Sequence, residues 1–82
     1  MKHAGPQSLD RIEPLLQEIR GVPGLTEKSR GVFYKSARAF LHFHEDPSGM
    51  HADVRVADDF ERYRVESPEE QQALLSLIGG SA

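Results

Sequence analysis

The chain has 82 residues, a formal charge of −3, a pI of about 5.7 and no cysteine. This length predicts one domain, 1–82, burying only about 60% of the surface its unfolded form exposes. The lack of cysteine excludes disulfide staples, thiolate metal sites and cysteine nucleophiles. The acidic balance argues against non-specific attraction of the whole molecule to nucleic acid. No apolar run approaches the roughly 20 residues of a membrane helix, and the start, MKHAGPQS, lacks the apolar stretch of a signal peptide. The expectation is a cytoplasmic protein without a membrane partner.

Taken in chain order, residues 1–7 read as a flexible leader. Leu9, Ile12, Leu15, Leu16 and Ile19 then form one helical stripe. Ser8 is one candidate cap; Asp10, with Glu13 reaching back, is the other, and it leaves Pro14 in the first turn, where a missing N–H costs least. Gly21 ends the helix and Val22-Pro23-Gly24 turns. Residues 25–31 are polar and carry no assignable period. From there the period is two. Val32 to Tyr34 is a short strand, Arg38 to Glu45 a second, Met50 to Val56 a third and Phe60 to Val65 a fourth, with turns at Asp46-Pro47-Ser48-Gly49 and Ala57-Asp58-Asp59. Lys35-Ser36-Ala37 lacks the glycine or asparagine that a tight hairpin prefers. Ser67-Pro68-Glu69-Glu70 has the order of a capping box with proline at the first helical position. Ala73, Leu74, Leu77 and Ile78 follow as its stripe, and 79–82 form a flexible tail. The expected fold is α+β: a two-layer sandwich of a four-stranded antiparallel meander with both terminal helices on one face, in the order α-β-β-β-β-α.

A loop at Asp46–Gly49 pairs Glu45 with Met50, His44 with His51, Phe43 with Ala52, His42 with Asp53, Leu41 with Val54 and Phe40 with Arg55. Ala39, Leu41, Phe43, Ala52, Val54 and Val56 then share one face. Arg38, Phe40, His42, His44, His51, Asp53 and Arg55 share the other. A slip of one residue would mix the sets, so burial should hold the register. A two-residue Asp58-Asp59 loop pairs Asp53 with Arg64, sends Tyr63 and Val65 to the core and adds Arg62 and Arg64 to the polar face. That face is basic, with Asp53 as its main acid.

Two binding chemistries suit this face. Arg38, Arg55, Arg62 and Arg64 around Phe40 could hold a partner protein, a second copy in a weak homodimer, or a single nucleic-acid strand, with guanidinium groups on phosphate and the ring on a base. His42, His44, His51 and Asp53 meet across two strands, and cross-strand Cβ separations of about 4.5–5.5 Å allow nitrogens to converge on a divalent metal at about 2.0–2.1 Å. The same residues also make an ordinary solvated sheet face, with Asp53 paired to His42 or Arg64. Catalysis is not expected: the register puts no serine beside a His42–Asp53 pair, and an open sheet offers no pocket.

The helix, then Val22-Pro23-Gly24-Leu25-Thr26-Glu27, then Val32-Phe33-Tyr34, a short turn and Ala39-Phe40-Leu41-His42-Phe43 resembles the first part of the bacterial MmcQ/YjbR-like family, over about residues 9–65. The resemblance implies a frataxin-like α+β arrangement, with helices on one side of an antiparallel sheet, and a possible DNA-binding role. It offers no catalytic set to carry over, and no cofactor is expected. The sequence therefore reads as a small non-enzymatic binding module using the basic outer face, with a histidine metal site as the alternative.

Overall fold

A computed structural model describes residues 2–80. Its order is β1 (Lys2–His3), α1 (Pro6–Arg11), α2 (Glu13–Arg20), β2 (Leu25–Ser29), β3 (Val32–Lys35), β4 (Arg38–Asp46), β5 (Gly49–Val56), β6 (Asp59–Arg64) and α3 (Pro68–Gly80). The α+β class and the antiparallel meander are as expected. The meander is longer than four strands: β2-β3-β4-β5-β6 lie side by side, and β1 also pairs with β4.

Both additions have a physical reason. Residues 25–29 carry no buried alternation, yet they pair with β3 from Leu25 opposite Lys35 to Ser29 opposite Val32, with a bulge near Lys28. The hairpin closes through Gly31 at φ +81, where a Cβ would lie 2.8 Å from Leu9 Cδ2. Glu27 accepts the Gly31 N–H at 2.9 Å and the Arg20 guanidinium at 2.6 Å, tying β2 to α2. β1 replaces the expected flexible leader. β3 pairs with β4 only from Arg38 to Leu41, so the far half of that edge has unmet backbone groups. Lys2 and His3 take it, opposite Glu45 and His44, and the Ala4 N–H donates to Phe43 O.

The first helix is broken at Ile12. Gly5 precedes α1 with Pro6 in its first turn, and neither Ser8 nor Asp10 provides a side-chain cap. Pro14 occupies the first turn of α2, the place where it costs least. Leu9, Ile12, Leu15, Leu16 and Ile19 are all buried as read. At α3 the capping box is complete: the Glu70 N–H donates to Ser67 Oγ at 3.1 Å, and the Ser67 N–H donates to Glu70 Oε1 at 2.9 Å. Leu74 and Ile78 reach the core, but Ala73 and Leu77 do not; the helix is rolled relative to the expected stripe and leaves Leu77 37% exposed. Of the expected tail, Gly79 and Gly80 are helical, and residues 81–82 lie outside the described residues.

The β4–β5 register is the expected one, closed more tightly, with Asp46 opposite Gly49. The β5–β6 register is displaced by two: Ala57-Asp58 forms the loop, Val56 faces Asp59, and Asp53 faces Arg62, not Arg64. A shift of two keeps every side chain on its face. One local departure does change faces. Phe33 pairs with Leu41 but Tyr34 pairs with Ala39, so Phe40 is the extra residue of a bulge. A bulge breaks the alternation, and Phe40 is buried in the same core as Leu41 and Phe43. The core joins these side chains to Met50, Ala52, Val54 and Val65 of the sheet and to the helical stripes.

Candidate metal centre

The outer face of β4 and β5 is polar because the inner face is needed for the core. His42 and His44 project from alternate positions of β4, and β1 brings His3 beside them, directly opposite His44 in register. His3–His44 and His42–His44 ring centroids are 4.5 and 4.8 Å apart, both edge to face, and His3–His42 centroids are 5.8 Å apart. One ligand atom from each of the three lies within 4.8 Å of the others. A tetrahedral ion with metal–nitrogen bonds of about 2.0–2.1 Å requires nitrogens about 3.4 Å apart. Closure therefore asks for about 1.4 Å of movement at most, within the reach of ring rotation.

Asp53 supports this cluster from below. It is buried, and both its oxygens are engaged: Arg62 Nε donates to Oδ1 at 2.7 Å, Arg62 Nη2 donates to Oδ2 at 2.9 Å, and His44 Nδ1 lies 2.9 Å from Oδ2. The Arg62 fork, opposed mainly by burial, holds the Asp53 carboxyl below its ordinary range. With its Nδ1–H donating to this carboxylate, His44 keeps Nε2 as a bare acceptor, the arrangement that orients metal-binding imidazoles. Burial is the main cause that pushes His42 and His44 below the ordinary imidazole value; for His42 the neighbouring His44 adds to it, and for His44 the attraction of Asp53 opposes it. Both are thus neutral, the ligating form, at neutral pH. His42 Nδ1 is buried and has no hydrogen-bond partner among the described residues. Phe60 closes one side, its ring centroid 4.9 Å from that of His42.

The expected metal set was His42, His44, His51 and Asp53. The first two are in the cluster. His51 is not: its Nδ1 is turned toward Asp46 Oδ1, 3.9 Å away, although its Cα pairs with His44. Asp53 is spent on Arg62 and His44 and acts behind the ligands. His3 was missed, because it lay in the segment read as leader; nothing local marks a two-residue strand.

The expected partner set is scattered. Phe40 is in the core. Arg38 precedes the bulge and lines a groove beside Leu77 of α3, not the outer face. Arg62 is paired with Asp53. Arg64 reaches Glu70 at 3.3 Å and Ser48 O at 3.4 Å. Arg55 donates to Ala39 O at 2.7 Å and stacks its guanidinium 4.6 Å from the Phe60 ring centroid. Among the described residues no helix is long and apolar enough to cross a membrane. No protein-family model, curated protein or solved structure matches the chain.

Proposed function

We propose that this protein is a binding module for a divalent transition ion of the zinc, nickel and copper group, held by His3, His42 and His44. The observation that carries this reading is the convergence of three ligand atoms, from two strands distant in sequence, within 4.8 Å. Imidazole donors suit these ions. Three protein ligands leave a fourth position open to water or to a donor from a partner. The His42 and His44 ligands are neutral, and the Asp53 charge is already balanced by Arg62. The ion's charge therefore meets no free carboxylate, which favours micromolar over nanomolar affinity, about 8 kcal/mol of binding free energy. The role is binding, not catalysis.

Partner binding through the outer-face arginines stands behind this reading, because Arg62 and Arg64 already meet acids within the molecule. The MmcQ/YjbR-like resemblance stays a proposal of kinship, and no ligand is carried over from it.

Zinc titration followed by imidazole NMR tests the proposal. The His3, His42 and His44 ring signals should move together and saturate at one equivalent, and His44→Ala should abolish saturation while the sheet signals persist. Shifts confined to single histidines, or spread over His51 as strongly as over His3, would overturn it.

A further inference from the structure

The sheet ends at β6, and this edge lacks the guards that the other edge carries. β2, at the far edge, is bulged near Lys28. Bulges and lysines of this kind deter an added strand. β6 has six residues, none of them lysine or proline, and it pairs with β5 from Asp59 to Arg64 without a break. Its outward N–H and C=O groups are open to another strand. Of the three large apolar side chains exposed among the described residues, Phe60 at 38% and Leu77 at 37% flank this edge, one on each face of the sheet.

On the core side of the edge, α3 leaves a trough beside β6. Ala73 and Leu77, one turn apart on α3, are both exposed and share a helix face. With Tyr63 of β6 and the buried Leu74 they make the apolar part of an open groove between helix and strand. Arg64 and Glu70 also line it, paired with each other at 3.3 Å. An unpaired strand edge beside a helix, with an apolar trough between the two, is the layout that strand addition uses. Main-chain hydrogen bonds supply affinity there, and pockets for alternate side chains supply specificity. The openness of the groove suits a chain that lies along it.

The charges of β6 decide the occupant. Asp59, Glu61 and Tyr63 share the core-side face, and Phe60, Arg62 and Arg64 share the outer one. A second copy added about a two-fold axis keeps like face with like face. In successive registers the directly opposed pairs then include Asp59 with Glu61, Glu61 with Glu61, Arg62 with Arg62, and Arg62 with Arg64. Like charges directly opposite are destabilising, so no register suits a second copy. From the open edge, the trough beside it and this charge pattern, we infer that β6 takes an extended segment of a different protein, added antiparallel. One apolar side chain of the segment enters the groove opposite Tyr63. Basic residues two and four positions later lie opposite Glu61 and Asp59, and an apolar residue between them lies against Phe60. Glu61 accepts the Tyr63 hydroxyl at 2.9 Å, a neutral donor, and both acids are exposed, so each is placed to meet a cation. This surface shares no residue with the proposed metal ligands.

The probe is the acetylated, amidated heptapeptide Thr-Leu-Thr-Lys-Val-Lys-Thr, titrated into the full chain and followed by NMR. The β6 amide signals and the Leu77 methyl signals should shift and saturate together, and hydrogen exchange should slow at alternate residues of β6. Serine in place of the peptide's leucine should weaken binding about tenfold or more, the loss of one buried aliphatic side chain. Glutamate in place of both lysines should weaken it about fivefold at low salt. A peptide N-methylated at two adjacent residues, so that one methyl must face β6, should not bind. Ala73→Trp, at an exposed helix position, should fill the trough and block the peptide while circular dichroism stays unchanged. Absence of saturation, undiminished binding of the N-methylated peptide, or undiminished binding to Ala73→Trp would each overturn the assignment. So would sedimentation showing a dimer whose protected amides are those of β6, which would give the edge to a second copy.

Discussion

Replacing Asp53 by asparagine tests the centre of the histidine face. The carboxylate, 8% exposed, accepts two hydrogen bonds from Arg62 and faces His44 Nδ1 at 2.9 Å. An asparagine keeps the shape and one acceptor, but its NH2 must face either a guanidinium N–H or the imidazole N–H, donor against donor. Hydrogen bonds to charged groups are worth about 1.5–3 kcal/mol each, and breaking a fully buried ion pair costs about 3–5 kcal/mol. The Arg62 side chain is 46% exposed and can return to water. The loss should therefore fall at about 2–3 kcal/mol, below the buried-pair range. For a domain of this size that lowers Tm by about 10–20 °C, and urea unfolding should show a lower midpoint with an unchanged m-value. Zinc affinity should drop about 10- to 100-fold, the usual cost of removing the group that orients a ligating histidine. Calorimetric titration and urea melts measure both. A variant within about 0.5 kcal/mol of the parent, the ordinary spread of neutral surface changes, and with unchanged zinc affinity would refute the reasoning.

Four further outcomes follow from the geometry. The metal-free protein should lose stability as pH falls below 6.5, the ordinary imidazole value: with His42 and His44 lowered in the fold, the unfolded chain takes up their protons first, and the loss ends at the folded values; a urea-midpoint series from pH 8 to 5 checks this. Zinc at a hundred times its Kd should stabilise by about 2.7 kcal/mol. Part of this should appear as slower hydrogen exchange of the Ala4 N–H, which the docked β1 holds on Phe43 O; zinc binding with no change in that amide would exclude His3 as a ligand. Ser36→Gly and Ala57→Gly should each raise stability by about 0.5–1 kcal/mol, the left-handed cost relieved less the extra freedom of glycine in the unfolded chain. Gly49→Ala should destabilise by about 1–3 kcal/mol from its backbone alone, because φ is +125 and the new Cβ would lie 2.4 Å from Glu66 Cγ; combined with Glu66→Ala, the cost should be less than additive.

What was legible in the chain was local or repetitive. The Ser67–Glu70 box, the helical stripe from Leu9 to Ile19 and the pairing of 41–45 with 50–54 rest on contacts within a turn, or on an alternation that burial enforces over many residues. The displaced β5–β6 register left every face intact, since pleating has a period of two. The Ala39-Phe40-Leu41 run was not legible in the same way. All three residues are apolar, so either phase buries something, and the pattern cannot show the bulge that carries Phe40 inward and Arg38 to the groove.

The sequence by itself determined the α+β class and the face on which His42, His44 and Asp53 lie, because hydrophobic burial reads side-chain periodicity directly. Only the tertiary structure decided which histidine completes the cluster and which partners Asp53 takes. Those choices depend on backbone groups left unpaired elsewhere: the open half of the β4 edge recruits Lys2 and His3, and the closure of one loop at Ala57-Asp58 sets Arg62 opposite Asp53. A hydrogen-bonding vacancy has no residue of its own, so it leaves no mark in the order of amino acids.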